Sequence, residues 1–427
     1  MSARGRVLRA AAAGVVLGAL LIPTGAAVAE PGQPTAHGAS DDLVRAKEYW
    51  LDAYGIRAAW NTTRGKGVTI AIIDTGIDGS VAELRGAVVG GADFSGHGAA
   101  NGETPVGTDS EHGTMVASLA AGRGSGSNAG VIGAAPDASL LSISVGFGDA
   151  ATDPDQQIAD AVTWAVDHGA KVINMSLTRN TLDWPPSWDT AFLYAAKHDV
   201  VVVAAAGNRG SGTEEVGAPA TMPGVLAVGG VNSAGVASTE ASAQGITIGV
   251  SAPSENLVGV VPGGGYVLWD GTSGATPIVA GIVALVRAAH PELDAANVIQ
   301  RVLATAHDKG AAGPDDLYGH GTVDAAAAVT GTVATVTANP LGDLAEWVRV
   351  NRRASVTPTP VSSESAAIIP TPIAAAQPRD PVGVLLPSTV LLTLVGLPLM
   401  VVLLMLFALG GLVVGAVVHF RSLRRTG

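Results

Sequence analysis

Residues 68–78 read VTIAIIDTGID, a run of apolar and β-branched residues that ends in a carboxylate. A short run of this composition is typical of a strand that is buried on both faces of a parallel sheet. Asp74 follows the run directly, and Thr75 and Gly76 then turn the chain. Parallel sheets gather functional groups at the carboxyl ends of their strands, so Asp74 is a candidate site residue. The structural alternative is an aspartate that caps a turn.

Outward from this strand, apolar runs alternate with amphipathic stretches of helical length. One such stretch spans residues 158–166, with apolar residues at helical spacing, and Gly169 is expected to end it. The alternation predicts an α/β fold, a parallel sheet flanked by helices on both faces. Besides residues 68–73, strands are predicted at residues 140–145, 172–177, 200–206 and 225–228.

Two further reactive side chains stand at the starts of predicted helices. His112 lies in DSEHGTMVASLAAG, before a helix that is expected to end near Gly122. His320 also precedes Gly-Thr and a run of small residues, so local sequence alone leaves both histidines open. Ser273 lies in WDGTSGATPIVAGIVALVRAAH, at the mouth of a helix whose first turn tolerates Pro277. The alternative for Ser273 is an ordinary helix cap.

The chain order Asp, His, Ser resembles that of the subtilisin-like serine proteases, which differs from the orders of chymotrypsin and the α/β-hydrolases. The resemblance covers residues 49–329 and includes the blocks GVIGAAPDASLLSISV, KVINMSL, VVVVAAAGN, GTSGATP and YGHGTVDAAAAV. Because His320 follows the serine in the chain, the order selects His112. The resemblance implies a subtilisin-like fold and a serine endopeptidase that acts on protein and peptide substrates.

The resemblance also assigns roles to residues. Ser273 would attack the peptide carbonyl, His112 would be the general base, and Asp74 would orient the imidazole. Asn208 in AAAGN stands where the family keeps its oxyanion-hole amide, beside the backbone N–H of Ser273. By local sequence alone, Asn208 also fits a turn residue after a strand. The substrate pocket would be walled by residues 176–178 and 204–207.

Two positions depart from the family pattern. The residue after the nucleophile is usually Met or another bulky apolar residue, whereas here it is Gly274, which predicts a looser start of the helix. Glu111 precedes the histidine, where Gly is common. A carboxylate that faces the ring would favour protonated His112 and shift activity to higher pH, and a solvated Glu111 is the alternative.

Composition excludes several classes of function. The chain has 427 residues, 24 Lys and Arg against 36 Asp and Glu, and a formal net charge of −12. Because no basic stripe is present, nucleic-acid binding is not expected. The chain has no Cys, which excludes zinc-finger, iron–sulfur and cysteine-nucleophile sites. No cofactor or metal is expected, because the scattered Asp153 and Asp155 do not form a calcium ligand set.

Both ends of the chain carry targeting signals. Residues 1–29 have the layout of a secretory signal peptide, with cleavage expected after Ala29. Residues 389–418 are predicted to form one transmembrane helix, and the basic tail at 419–427 predicts a cytoplasmic C-terminus. The expected location is the cell membrane, with the protease domain extracytoplasmic. The remaining segments are predicted to be a short N-terminal extension (30–46), the protease domain (47–331) and a linker rich in Ala, Pro, Ser and Thr (332–381).

This architecture is similar to that of the mycosins, membrane-anchored proteases associated with type VII secretion in actinobacteria. The resemblance implies processing of a limited set of exported proteins, and association with the type VII secretion membrane complex. One alternative is a scaffolding or stabilising subunit of that complex with weak or dispensable proteolysis. A broad nutritional protease is a further alternative, which is disfavoured because a membrane tether prevents diffusion to bulk substrate.

Overall fold

The computed structural model describes residues 42–146 and 152–352. The strands are β1 (Thr69–Asp74), β2 (Val88–Asp93), β3 (Ser139–Ser144), β4 (Val172–Met175), β5 (Val201–Ala205), β6 (Leu226–Val231), β7 (Ile248–Pro253), β8 (Leu257–Val260) and β9 (Tyr266–Trp269). The helices are α1 (Trp50–Ala53), α2 (Ile56–Ala59), α3 (His112–Ala121), α4 (Pro154–Asp167), α5 (Pro186–Lys197), α6 (Thr272–Ala289), α7 (Ala295–Ala304), α8 (Ala325–Thr330) and α9 (Leu344–Asn351).

Seven of the strands form one sheet in the order β2-β3-β1-β4-β5-β6-β7. Every neighbouring pair in it is parallel, and β8 and β9 form a separate antiparallel hairpin. The first strand in the chain, β1, lies between β3 and β4, so the strand order reverses beside it. Ligands of open parallel sheets bind at such a reversal, in the crevice outside the carboxyl ends of the strands.

Helices cover both faces of the sheet, because β1 sends alternate side chains into two apolar cores. Ile70 and Ile72 pack in a core with residues of α3, α6, α7 and α8. Ala71 and Ile73 pack in a second core with residues of α4 and α5. The predicted α/β architecture is therefore confirmed, and each predicted strand is present with ends that differ by a few residues.

Within the described residues, one helix is long and apolar enough to cross a membrane. This helix is α6, and 83% of it is buried inside the protein, so it is a core helix. The predicted signal peptide (1–29), transmembrane helix (389–418) and basic tail (419–427) lie outside the described residues, and those predictions stay untested.

The packed part of the chain extends past residue 331, where the linker was predicted to begin. Asn297 exchanges hydrogen bonds with the backbone of Val336, at 2.8 Å from its N–H and 3.1 Å to its carbonyl. Further along, Leu344 of α9 is buried, and the ring centroid of Trp347 lies 4.3 Å from that of Trp184. The overall Ala, Pro, Ser and Thr content of residues 332–381 predicted a linker, and the small apolar face of α9 within this range was not recognised. Residues 332–352 are called the C-terminal arm below.

Candidate active site

Asp74 lies at the carboxyl end of β1 and is only 3% exposed. Its Oδ1 accepts hydrogen bonds from the Thr75 N–H and from His112 Nδ1, both at 2.8 Å. A buried carboxylate can only accept in such bonds, so Nδ1 of His112 carries the proton. Nε2 of the neutral ring is then left as the acceptor, which is the form that a general base needs.

His112 is the first residue of α3, and the turn after β1 fixes where that helix begins. The Gly113 N–H donates to Thr75 Oγ1 at 3.0 Å. A Cβ on Gly113 would overlap the Gly76 carbonyl oxygen, so only glycine lets the helix start this close to the turn. Strand β1 and helix α3 therefore bring Asp74 and His112 together although they are distant in sequence.

Acidic neighbours raise the pKa of His112 above its ordinary value. Burial is the largest single effect and lowers the pKa, but the charge and hydrogen bond of Asp74, together with the charges of Asp109 and Glu111, outweigh it. The imidazole ring is 25% exposed. Glu111 thus raises the pKa of His112, which is the direction considered above for a carboxylate that faces the ring.

Ser273 is the second residue of α6 and exchanges two hydrogen bonds with Ser176, which follows β4. Its Oγ donates to the Ser176 carbonyl at 3.1 Å, and Ser176 Oγ donates to the Ser273 carbonyl at 2.8 Å. The second bond has a cause in the sequence. Pro277 has no N–H, so it cannot make the helical bond to the Ser273 carbonyl, and the Ser176 hydroxyl replaces that donor.

This arrangement corrects the prediction for Pro277. The proline is the sixth residue of α6, not part of its first turn, and the helix tolerates it because Ser176 satisfies the freed carbonyl. The Ser273 hydroxyl itself is oriented so that it donates to a backbone carbonyl and not to an imidazole nitrogen.

Asn208 follows β5 and is held by Thr272, the first residue of α6. Its Oδ1 accepts from the Thr272 N–H at 2.8 Å and from Thr272 Oγ1 at 2.9 Å. Because a backbone N–H can only donate, the atom that faces it is the amide oxygen, and Nδ2 is free to point to the other side. There, Nδ2 lies 3.1 Å from the point where a Cβ on Gly271 would stand. Gly271 has φ +141°, which favours glycine and leaves this space open.

Trp269, at the end of β9, packs between the starts of α3 and α6. Its ring is edge-on to His112, with centroids 5.7 Å apart. A Cβ on Gly274 would collide with Leu257 Cδ1 and lie 3.4 Å from Trp269 Cη2. The predicted looser start of α6 is therefore not observed, because these side chains fill the space beside Gly274.

One cavity lies beside the candidate residues, and a larger cavity lies apart from them. A cavity of about 550 Å³ beside His112 is lined by Glu111, Met115 and Trp269 among others. A larger cavity of about 750 Å³ lies between α5 and the C-terminal arm, and its described lining contains none of the four candidate residues. Within residues 42–146 and 152–352, no group of three or more His, Cys, Asp or Glu side chains is arranged to hold a metal ion.

The alternative histidine lies elsewhere. The His320 N–H donates to the Gly249 carbonyl near the start of β7, at the amino edge of the sheet. Burial lowers the pKa of His320, opposite to the change at His112. Asp74, His112, Ser273 and Asn208, by contrast, all lie at the carboxyl edge, next to the reversal of strand order.

Comparison with known proteins identifies the family of the chain. The model of the subtilase family matches residues 65–321. The chain belongs to the subtilase family of serine proteases. Subtilisin E of Bacillus subtilis strain 168 is 37% identical over 266 residues, which cover 62% of this chain and 66% of that protein. The resemblance to subtilisin-like proteases is thereby confirmed.

Solved structures place this subtilase near the mycosins. The crystal structure of MycP1 from Mycobacterium smegmatis is 30% identical with a TM-score of 0.58, and the match covers 69% of this chain and 86% of that one. The MycP3 protease from the type VII (ESX-3) secretion system is 32% identical with a TM-score of 0.57, covering 66% of this chain and 88% of that one. The structural similarity to mycosins is confirmed, and with it the subtilisin-like fold.

Sequence reasoning missed three residues that support the site. Ser176 was placed only in a pocket wall, and Thr272 and Trp269 were assigned no role. Pro277 carried a usable signal, since a proline inside a helix implies a carbonyl that needs another donor. The identity of the donor was not readable, because Ser176 and Ser273 are 97 positions apart.

Proposed function

We propose that this subtilase is a membrane-anchored, extracytoplasmic serine endopeptidase that uses Asp74, His112 and Ser273 as its catalytic triad. The observation that carries the proposal is the 2.8 Å bond from His112 Nδ1 to the buried Asp74 carboxylate, at the same sheet edge as Ser273. Its substrates would be a limited set of exported proteins, and its setting a type VII secretion system, as the names of its structural neighbours suggest.

The proposed reaction begins when the Ser273 hydroxyl turns toward His112. Oγ attacks the substrate carbonyl carbon while its proton passes to Nε2 of His112, and Asp74 stabilises the resulting imidazolium without accepting a proton. The C–N bond then breaks, the amine leaves with the proton from His112, and an acyl ester remains on Ser273. Water, deprotonated by His112, hydrolyses the ester and restores the hydroxyl.

Negative charge on the tetrahedral oxygen would be stabilised by two donors. One is Asn208 Nδ2, which is fixed by the two bonds that Thr272 makes to the amide oxygen. The other is the N–H of Ser273, one of the first N–H groups of α6, which have no acceptor within the helix. Removal of one such donor typically costs about 3 kcal/mol of transition-state stabilisation.

A second candidate function is that of a scaffolding subunit in which proteolysis is weak or dispensable. The orientation of Ser273 favours it, because the hydroxyl is directed at the Ser176 carbonyl at 3.1 Å. In that case the packed domain and the membrane tether would stabilise a secretion complex, and the triad would contribute little.

Complementation separates the two candidates. A strain that lacks this gene would receive either the wild-type chain or Ser273→Ala, and both export and cleavage of co-exported proteins would be followed by mass spectrometry. The protease proposal expects specific new termini with the wild type and none with Ser273→Ala. Full export with identical termini in both strains would contradict it and support the scaffold.

A further inference from the structure

The loop at residues 176–185 joins β4 to α5 and includes residues 176–178, which the resemblance to subtilases assigns to a wall of the substrate pocket. It begins at Ser176, which exchanges two hydrogen bonds with Ser273. Further along the loop, Thr178 packs against Gly207, since a Cβ on Gly207 would lie 3.4 Å from Thr178 Cγ2. The position of this loop therefore affects both the nucleophile and the space beside it.

The far end of the 176–185 loop is held by Arg352, the last residue that the structure describes. Arg352 Nε donates to Asp189 Oδ2 at 2.9 Å, and Nη2 donates to the Trp184 carbonyl at 2.6 Å. The guanidinium also lies 5.8 Å and 5.3 Å from the ring centroids of Trp184 and Trp347. One side chain thus holds the loop through both the backbone and the ring of Trp184.

The contacts of Arg352 with Trp184 and Asp189 are called the clasp below. Breaking the clasp is costly because of the position of Asp189. The residue is 6% exposed, and its Oδ1 accepts from Trp184 Nε1 at 2.7 Å. Arg352 forms an ion pair with this carboxylate. Without the guanidinium, a buried charge loses its compensation, and the loop and α5 must move to let water reach it.

The middle of the loop is hydrogen-bonded to Ala218. The Arg179 N–H donates to the Ala218 carbonyl at 2.8 Å, and the Ala218 N–H donates to the Thr181 carbonyl at 2.9 Å. The Gly217 N–H in turn donates at 3.4 Å to the Ala206 carbonyl, two residues before Asn208. Hydrogen bonds and short covalent segments of the backbone therefore link the clasped end of the loop to the candidate oxyanion site.

The C-terminal arm reaches the clasp by running antiparallel to α5. Leu344 lines a cavity with Leu193 and Lys197 near the end of α5, whereas Arg352 pairs with Asp189 in its first turn. The arm therefore brings Arg352 to the carboxyl edge of the sheet. It also lies outside residues 65–321, the part that the subtilase family model matches.

We propose that Arg352, supported by Trp347, is a positioning residue for substrate binding: the C-terminal arm holds the 176–185 loop in the shape that an extended peptide needs. The inference rests on the proposed protease function. It predicts that loss of the clasp weakens binding of peptides along this wall, while the triad keeps its reactivity toward a small probe.

The test compares two covalent probes on the full chain purified in detergent. An alkyl fluorophosphonate contacts little beyond the triad, whereas a tetraalanyl diphenyl phosphonate also occupies the wall. In the second probe the Ser273 Oγ–P bond forms, the P–O bond to one phenoxide breaks, and phenol leaves with the serine proton. For Arg352→Ala, the inhibition constant of the peptide probe should rise about 10-fold, and the fluorophosphonate rate should stay within about 2-fold of wild type.

Two further variants separate positioning from stability. Arg349→Ala is the matched control, because Arg349 lies in the last turn of α9, shortly before Arg352 at the helix end, is 59% exposed and pairs with Glu346. Arg352→Lys keeps the charge beside Asp189 but not the planar fork, so it should recover only part of the binding. Hydrogen exchange of residues 176–185 should rise in Arg352→Ala and not in the control.

The outcomes are distinguishable. An unchanged inhibition constant for the peptide probe in Arg352→Ala would overturn the inference, as would equal losses for both probes that follow the melting temperature. Failure of the wild-type chain to react with the fluorophosphonate would instead count against the protease function itself.

Discussion

Asp74 fixes the tautomer of His112 through a single oxygen, because Oδ1 accepts a hydrogen bond from the Nδ1–H group, with 2.8 Å between Nδ1 and Oδ1. An asparagine has the same size, but its amide can donate to Nδ1 and so leave the proton on Nε2, where it blocks the base. We expect Asp74→Asn to lower kcat about 10⁴-fold while the melting temperature changes little. Steady-state hydrolysis and thermal denaturation of the same preparation test this, and a loss below about 10-fold would contradict the role of Asp74.

Glu111 acts on the same ring through its charge. It raises the pKa of His112, and activity requires the neutral imidazole, so removal of the charge makes the base available at lower pH. We expect the acidic limb of the pH–rate profile to move to lower pH in Glu111→Gln. Glu240→Gln is the control, since Glu240 is exposed and is not among the groups that raise this pKa. An acidic limb that stays in place would show that Glu111 is screened by solvent.

At the level of single residues, the sequence located the four candidate positions because each follows a strand or opens a helix in a distinctive block. It did not reveal their partners. Thr272 orients Asn208 across 64 positions, and Ser176 contacts Ser273 across 97. Such contacts depend on the packing of α6 against the sheet, which no local pattern encodes.

Among the elements, α6 depends on the replacement of one hydrogen-bond donor by another. The Ser176 hydroxyl donates to the Ser273 carbonyl in place of the N–H that Pro277 lacks. Ser176→Ala removes the hydroxyl that satisfies the Ser273 carbonyl, and we expect the free energy of unfolding to fall by about 1 kcal/mol. Pro277→Ala supplies an N–H that can bond the same carbonyl, so the double variant should recover part of that loss. A double-mutant cycle by chemical denaturation measures the coupling. Changes in the free energy of unfolding that simply add in the double variant would contradict this replacement of the donor.

The strands that the sequence predicted are those with continuous apolar runs, and the ones it missed lack this signal. Strand β2 reads VVGGAD and is only partly buried. A Cβ on Gly91 in β2 would overlap the carbonyl oxygens of Asn101 and Ser142, so tertiary packing and not strand propensity selects glycine there. The hairpin of β8 and β9 was also missed, because β8 is a buried run of only four residues and β9 is mostly exposed.

For the whole molecule, the apolar run at 389–418 and the basic tail after it predict attachment to the membrane. We expect the full chain to stay in the membrane fraction after an alkaline carbonate wash and to need detergent for release. A chain that ends at residue 381 should be released without detergent, because it lacks the predicted span. Release of the full chain by carbonate would contradict the membrane anchor.

The central claim is that Ser273 is activated by His112 and Asp74. The most direct measurement is fluorophosphonate labelling of the full chain in detergent, with Ser273→Ala and His112→Ala as controls and circular dichroism to verify folding. The account predicts labelling of the wild type on Ser273 and no labelling of either variant. Labelling that persists in Ser273→Ala, or a folded wild-type chain that does not react, would contradict the account.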